Sequence, residues 1–236
     1  MITIIFGGNG KGKTSLMAYF LNESAFDDVR LCKARAELKK VNKMFNLNIP
    51  EPKHFTYADG KDKYKFQKFG YSSRYNIELF PRSLGIQTEA PEGTECQFIL
   101  PYATLGIDEA QTYFPSRDGD VQPHQFSFFE KHRHNNLNIY MATTRAKLID
   151  VRIRDLAVGM YIKDRTIKRN KYGTKNITWT VDYIDIGNWE SYLNAPIDEK
   201  SKYSEEKKFT CDYDIYNIYD PESCKELFYT GYQIGG

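Results

Sequence analysis

Gly7-Gly8-Asn9-Gly10-Lys11-Gly12-Lys13-Thr14 decides the fold. These eight residues fit the pattern G-x-x-x-x-G-K-[ST] throughout. They follow Ile2-Thr3-Ile4-Ile5-Phe6, a β-branched and aromatic run that reads as a short buried strand. From Lys13 to about Asn22 the sequence turns helical, with Leu16, Tyr19 and Phe20 at three-to-four spacing. Strand, glycine turn and helix N-terminus in that order make a phosphate-binding loop. The glycines are needed because the backbone must wrap a polyphosphate with its N–H groups turned inward, in conformations that side chains obstruct. Lys13 would meet the β- and γ-phosphate oxygens of ATP and Thr14 would ligate Mg²⁺, while Ser15 and the helix N-terminus complete the cradle.

A second stretch, Leu105-Gly106-Ile107-Asp108-Glu109-Ala110-Gln111, reads as another central strand ending in two acids. Asp108 there is placed to hold the loop magnesium, and Glu109 to polarise the water that attacks the γ-phosphate. An adjacent glutamate favours the branch of these ATPases that includes motors over the GTP switches. A third central strand, Asn138–Thr143, runs into Thr144 and Arg145, and Thr144 is the candidate γ-phosphate sensor. A charge-neutralising arginine from a neighbouring subunit would complete the site, with Arg133, Arg145, Arg152 and Arg154 as candidates. His132 and His134 flank Arg133 at a spacing that turns them to different helix faces, which argues against a shared metal.

Between and beyond these motifs, helices are expected at Asp28–Phe45, Gln125–His134 and Ile149–Asp155, with a further strand at His54–Ala58. Residues 59–97 read as an insertion with a short strand near Asn76–Phe80. Met160–Thr166 and Asn176–Ile186 read as a β-hairpin turning at Tyr172-Gly173. Lys163, Arg165, Lys168, Arg169, Lys171 and Lys175 crowd this hairpin, interleaved with Tyr161, Tyr172 and Trp179. Such a ribbon suits a nucleic-acid backbone or acidic lipid headgroups, and equally a solvated hairpin kept soluble by lysine. Strands alternating with helices give a three-layer α/β fold of the RecA/ASCE-like P-loop type, with a mainly parallel sheet, a C-terminal hairpin and an extended tail. Residues 1–195 form its ATPase domain, 196–208 a charged linker, and 209–236 an arm packed on this or a neighbouring subunit.

Composition narrows the function further. The 236 residues can bury a core of their own. A net charge of +2, from 33 basic and 31 acidic residues, gives no bulk argument for nucleic acid, so any such surface must be local. Cys32, Cys96, Cys211 and Cys224 form no C-x-x-C pair, which leaves zinc or a redox dithiol without support and points to free thiols in a reducing compartment. The first strand begins at about residue 2, with no targeting segment before it, and no window approaches the ~18 apolar residues of a membrane span.

Several of these blocks occur in a recognisable order. Ile107-Asp108-Glu109-Ala110-Gln111 runs into Phe114-Pro115-Ser116-Arg117. His132-Arg133-His134, Asn138-Ile139, Thr143-Thr144 and Lys147-Leu148-Ile149-Asp150 follow. In that order, over roughly residues 1–190, they resemble the zonula occludens toxin (Zot) family, which includes the assembly ATPases of filamentous phages within the FtsK–HerA group of DNA-pumping motors. The resemblance implies a phage or prophage ATPase at the cytoplasmic face of the host inner membrane. It would work as a homo-oligomeric ring, such as a hexamer, with single-stranded phage DNA, virion proteins or a membrane-anchored assembly partner. Members of the family usually continue into a transmembrane helix, and related motors often carry glutamine where this chain has Thr143-Thr144-Arg145. A soluble DNA-packaging ATPase and a nucleotide-switched scaffold with little turnover are the competing expectations.

Overall fold

The computed structural model describes residues 1–46, 56–58, 67–68, 87–89, 95–97, 102–116, 123–134, 136–169, 173, 175–213 and 215. In chain order they form β1 (Ile2–Phe6), α1 (Lys13–Ala25), α2 (Asp28–Phe45), β2 (Thr56–Ala58), β3 (Gln67–Lys68), β4 (Gln87–Glu89), β5 (Glu95–Gln97) and β6 (Thr104–Ile107). Next come α3 (Pro123–Lys131), β7 (Asn138–Thr143), α4 (Val151–Arg154), β8 (Ala157–Arg169), β9 (Lys175–Ile184), α5 (Trp189–Asn194) and β10 (Glu205–Cys211). Eight strands make one sheet in the order β10–β9–β8–β1–β7–β6–β2–β3, while β4 and β5 pair separately. The six strands from β8 to β3 run parallel. β9 and β10 extend that sheet with antiparallel pairing.

Alternation along β1 sorts the core onto two faces. Ile2, Ile4 and Phe6 join a cluster with Phe114, Phe129, Ile153 and Trp189, on the side of α3, α4 and α5. Ile5 joins Leu16, Met17 and Leu21 of α1 on the other side, together with Met160, Ile162 and Trp179. Helices on both faces of a mainly parallel sheet are the three-layer α/β arrangement expected from the sequence. α1 lies very close to the sheet, since a Cβ on Gly106 would stand 2.6 Å from Leu21 Cδ1. A larger residue there would lift α1 and the phosphate loop joined to it.

Because β1, β6 and β7 are parallel and in register, their C-terminal ends share one edge. Phe6 pairs with Thr143, and Ile107 with Met141. The glycine loop, the acidic pair and the Thr144 turn leave from that edge. Ligands of open α/β sheets gather at such an edge.

Two regions depart from expectation. Residues 196–208 do not form a linker: Ile197–Lys202 is a 3₁₀ helix, and Glu205 begins the strand that pairs with β9 from Tyr183 to Ile177. The start of the expected arm packs on its own chain, where Phe209 meets Phe20 edge-on at 4.9 Å and Tyr213 lies against Tyr19 at 6.5 Å. The helix expected at Ile149–Asp155 is the single turn α4, preceded by a 3₁₀ turn at Ala146–Leu148. The strand expected near Asn76–Phe80, Tyr172 of the hairpin turn and the arm beyond residue 215 lie outside the described residues. Cys32 and Cys211 are free thiols.

Candidate nucleotide site

The N-terminus of α1 is built to receive an anion. Gly12 caps it at φ 85°, in the left-handed region that glycine tolerates, with no side-chain cap and no acid in the first turn. The first N–H groups of a helix have no intrahelical acceptor, and its dipole puts partial positive charge there. Negative charge at that terminus must come from outside the helix. Lys13, only 9% exposed, lies folded inside the loop, donating to the carbonyls of Gly7 (3.2 Å) and Gly8 (3.3 Å). Ser15 donates to the Gly12 carbonyl at 2.9 Å and holds the loop's last turn closed.

Thr14 Oγ1 lies 3.2 Å from each carboxylate oxygen of Asp108, 94 residues away in the chain. A hydroxyl and a carboxylate held together beside a phosphate loop are a hard-oxygen donor set of the kind magnesium takes. The residues therefore fit the metal, with Thr14 and Asp108 as the groups that would hold it. Asp108 also accepts the Glu109 N–H at 3.1 Å and is itself buried.

Glu109 has φ 49°, outside the usual range for a residue with a side chain. Backbone strain of this kind costs on the order of 1–3 kcal/mol and persists where the surroundings impose it. Gln111 Nε2 donates to Glu109 Oε2 at 2.5 Å. Among the described residues, Gln111 Oε1 is buried without a hydrogen-bond partner. The sequence reading assigned Gln111 no role. Its place two residues after the second acid, in Asp108-Glu109-Ala110-Gln111, was the available signal. A cavity of about 800 Å³ opens here, lined by Gly7, Gly8, Gln111, Thr144, Arg145 and Tyr161 among others. Gln111 and Thr144 thus face the same space as the loop's first glycines.

The Phe114-Pro115-Ser116 block fixes this wall. Phe114 is fully buried against Phe129 (5.0 Å, edge to face), and Pro115 bridges Ile149. Ser116 N–H donates to Leu148, and Asp150 N–H to Phe114, which ties the acid-bearing segment to the turn after β7.

The four arginines separate clearly. Arg145 lines the cavity of its own chain. Arg152 pairs with Asp150 at 2.8 Å and covers the Phe126 ring, and Arg154 is buried. Arg133 precedes β7 and is exposed at the opposite edge of the sheet from the loop. On the hairpin, Lys163 pairs with Asp182 (3.4 Å) and Glu206 (2.9 Å), and Arg165 packs against the phosphate loop. Lys168 and Arg169 are exposed, Lys175 is partly buried at the start of β9, and Lys171 lies outside the described residues.

His132 is a core residue, 1% exposed, with Nδ1 against the Phe129 carbonyl, while His134 is exposed. Burial holds the His132 pKa below the ordinary imidazole value. An unfolded imidazole protonates at about pH 6.5, whereas the folded one resists. Its contribution to stability is therefore complete above that pH and is lost as acid is added below it. We expect the thermal midpoint to fall from pH 7 to pH 5, and His132→Asn to flatten that fall; equal slopes in both proteins would reject the assignment.

No helix among the described residues is long and apolar enough to cross a membrane. The fold is similar to the N-terminal domain of zonular occludens toxin from Neisseria meningitidis, with 20% identity, a TM-score of 0.53, and 93% of this chain and 98% of that chain covered. A weaker likeness is to the genome packaging NTPase B204 of Sulfolobus turreted icosahedral virus 2, solved with ATP-gammaS, at 16% identity and a TM-score of 0.40, covering 73% of this chain and 78% of that one. No curated protein matches the chain in sequence. Residues 1–177 match the family described as Zonular occludens toxin (Zot), and the chain belongs to that family.

Proposed function

We propose that this chain is a phage-associated, Mg²⁺-dependent ATPase that works as a ring-shaped homo-oligomer to move single-stranded phage DNA during filamentous-type virion assembly. The observation that carries the reading is the contact of Thr14 with Asp108 beside Lys13, one hydroxyl, one carboxylate and one ammonium at a single helix terminus. Family membership supports the phage setting. Bound Mg²⁺ would supply Lewis-acid charge against the β- and γ-phosphate oxygens. Lys13 leaves the Gly7 and Gly8 carbonyls to pair with the same oxygens. Glu109 accepts the proton of a water whose oxygen forms the new bond to the γ-phosphorus as the bond to ADP breaks. Gln111 holds the Glu109 carboxylate, and Thr144 donates to the γ-phosphate from the end of β7. The location that goes with this function is the cytoplasmic face of the host membrane, with an anchored partner.

The test is steady-state ATP hydrolysis with and without single-stranded DNA. A motor is stimulated by the strand, whereas a nucleotide-switched scaffold hydrolyses slowly and stays flat. Neutralising Lys168, Arg169 and Lys171 together should weaken DNA binding several-fold at low salt and make its salt dependence shallower, as expected when phosphate contacts are lost. Unchanged binding by that triple variant would assign these charges to solubility or to lipid.

A further inference from the structure

The hairpin is rooted on the phosphate loop. A Cβ on Gly7 would lie 3.2 Å from the carbonyl oxygen of Ile162. Lys11 Nζ donates to the carbonyl of Lys163 at 3.0 Å. A Cβ on Gly12 would stand 2.7 Å from Cδ and 2.9 Å from Nη1 of Arg165. Three successive points of the loop thus rest on β8 where that strand leaves the sheet edge.

Arg165 reaches the loop because of an irregularity. Ile162 pairs with Val181, but the next partners are Asp164 with Thr180 and Arg165 with Trp179, so Lys163 is an extra residue in the ladder. Cross-strand partners share a face. Val181, Trp179 and Ile177 all belong to the cluster on the α1 side, so Arg165 and Ile167 lie on that side. Strict alternation from Ile162 would have put Asp164 there instead. A bulge re-aims the side chains that follow it. This one exchanges an acid for a guanidinium beside the loop. Among the described residues, Arg165 has no hydrogen-bond or ion-pair partner.

We propose that Arg165 is a second cation of the nucleotide site, contributed by the same chain, that pairs with the phosphate tail of a bound nucleoside triphosphate and ties the basic hairpin to nucleotide occupancy. This rests on the reading of the glycine loop as the nucleotide site. β8 is continuous from Ala157 to Arg169, so a ligand held by Arg165 restrains the segment bearing Lys168 and Arg169.

The experiment is a titration of Arg165→Ala, Arg165→Lys and Lys13→Ala with a fluorescent ATP analogue in Mg²⁺, at about 50 mM and about 500 mM salt, since screening weakens exposed ion pairs. Hydrogen exchange of residues 163–169 is followed with and without nucleotide. Arg165→Ala should bind about tenfold more weakly at low salt, the deficit shrinking at high salt, and Arg165→Lys should recover most of it. Nucleotide should protect the hairpin root in the wild type and in Arg165→Lys but not in Arg165→Ala. Wild-type affinity in Arg165→Ala overturns the proposal. So does a loss that is equal at both salt concentrations, or one that lysine leaves uncorrected, because either makes the contact packing alone. Should Arg165→Ala not fold, Arg165→Lys decides: wild-type salt dependence and hairpin protection uphold the cationic role, and their loss overturns it. Wild-type affinity in Lys13→Ala would instead remove the underlying reading of the loop.

Discussion

Lys13→Ala should lower kcat/KM for ATP by about 10³-fold and weaken ATP binding while leaving the thermal midpoint within a few degrees of the wild type. The activity loss is large because an ammonium inside a loop of backbone N–H groups is worth far more to a multiply charged phosphate than to a neutral partner. The stability effect is small because, among the described residues, Lys13 Nζ donates only to the carbonyls of Gly7 and Gly8, which water can solvate once the side chain is gone. The Thr14–Asp108 contact and the Ser15–Gly12 bond do not depend on it. Steady-state hydrolysis and nucleotide titration on purified protein check this, with circular dichroism melting as the control. A folded Lys13→Ala protein that retained wild-type turnover would remove the proposed chemistry altogether.

The elements that hold the site were legible because their side chains are buried on both faces of the sheet. Ile2–Phe6 and Asn138–Thr143 are central strands whose apolar runs leave little choice of structure, and α2 matches its expected Asp28–Phe45 span because Asp27 caps it, accepting from Arg30 N–H. The edge of the sheet was not legible. Residues 205–208 read Glu-Glu-Lys-Lys, which looks like solvated linker, yet they are the outer strand of the sheet, where charge guards an unpaired edge. Only Phe209 and Cys211 announce the inward face. The place of Arg165 against the phosphate loop was not legible for a related reason, since a period-two reading of β8 cannot see the extra residue at Lys163 and counts every basic side chain as part of one exposed ribbon. Asp108 and Glu109 could be picked out as a pair, but the strained backbone that separates their roles, and the Gln111 contact that holds the second carboxylate, exist only once the segment to Ser116 has folded back onto Leu148.

That separation is what makes Glu109→Gln the sharpest test of chemistry against binding. Asp108 is buried, tied to Thr14, and sits where a metal would be held, whereas Glu109 is exposed and accepts from Gln111, which lines the cavity. Replacing its carboxylate by an amide of the same shape removes the proton acceptor and leaves Lys13, Thr14 and Asp108 in place. General-base removal costs about 10²–10⁴-fold in rate. We expect kcat to fall within that range while ATP affinity stays within a few-fold of the wild type, so that the variant accumulates as the ATP complex. Single-turnover hydrolysis and a nucleotide titration on the same preparation separate the two effects. Asp108→Asn, in contrast, should lose both affinity and rate, because its carboxylate is a binding group. If Glu109→Gln lost affinity as much as Asp108→Asn, both acids would be serving the metal and the attacking water would need another base. If it kept full turnover, the strain at Glu109 would have a purely structural origin.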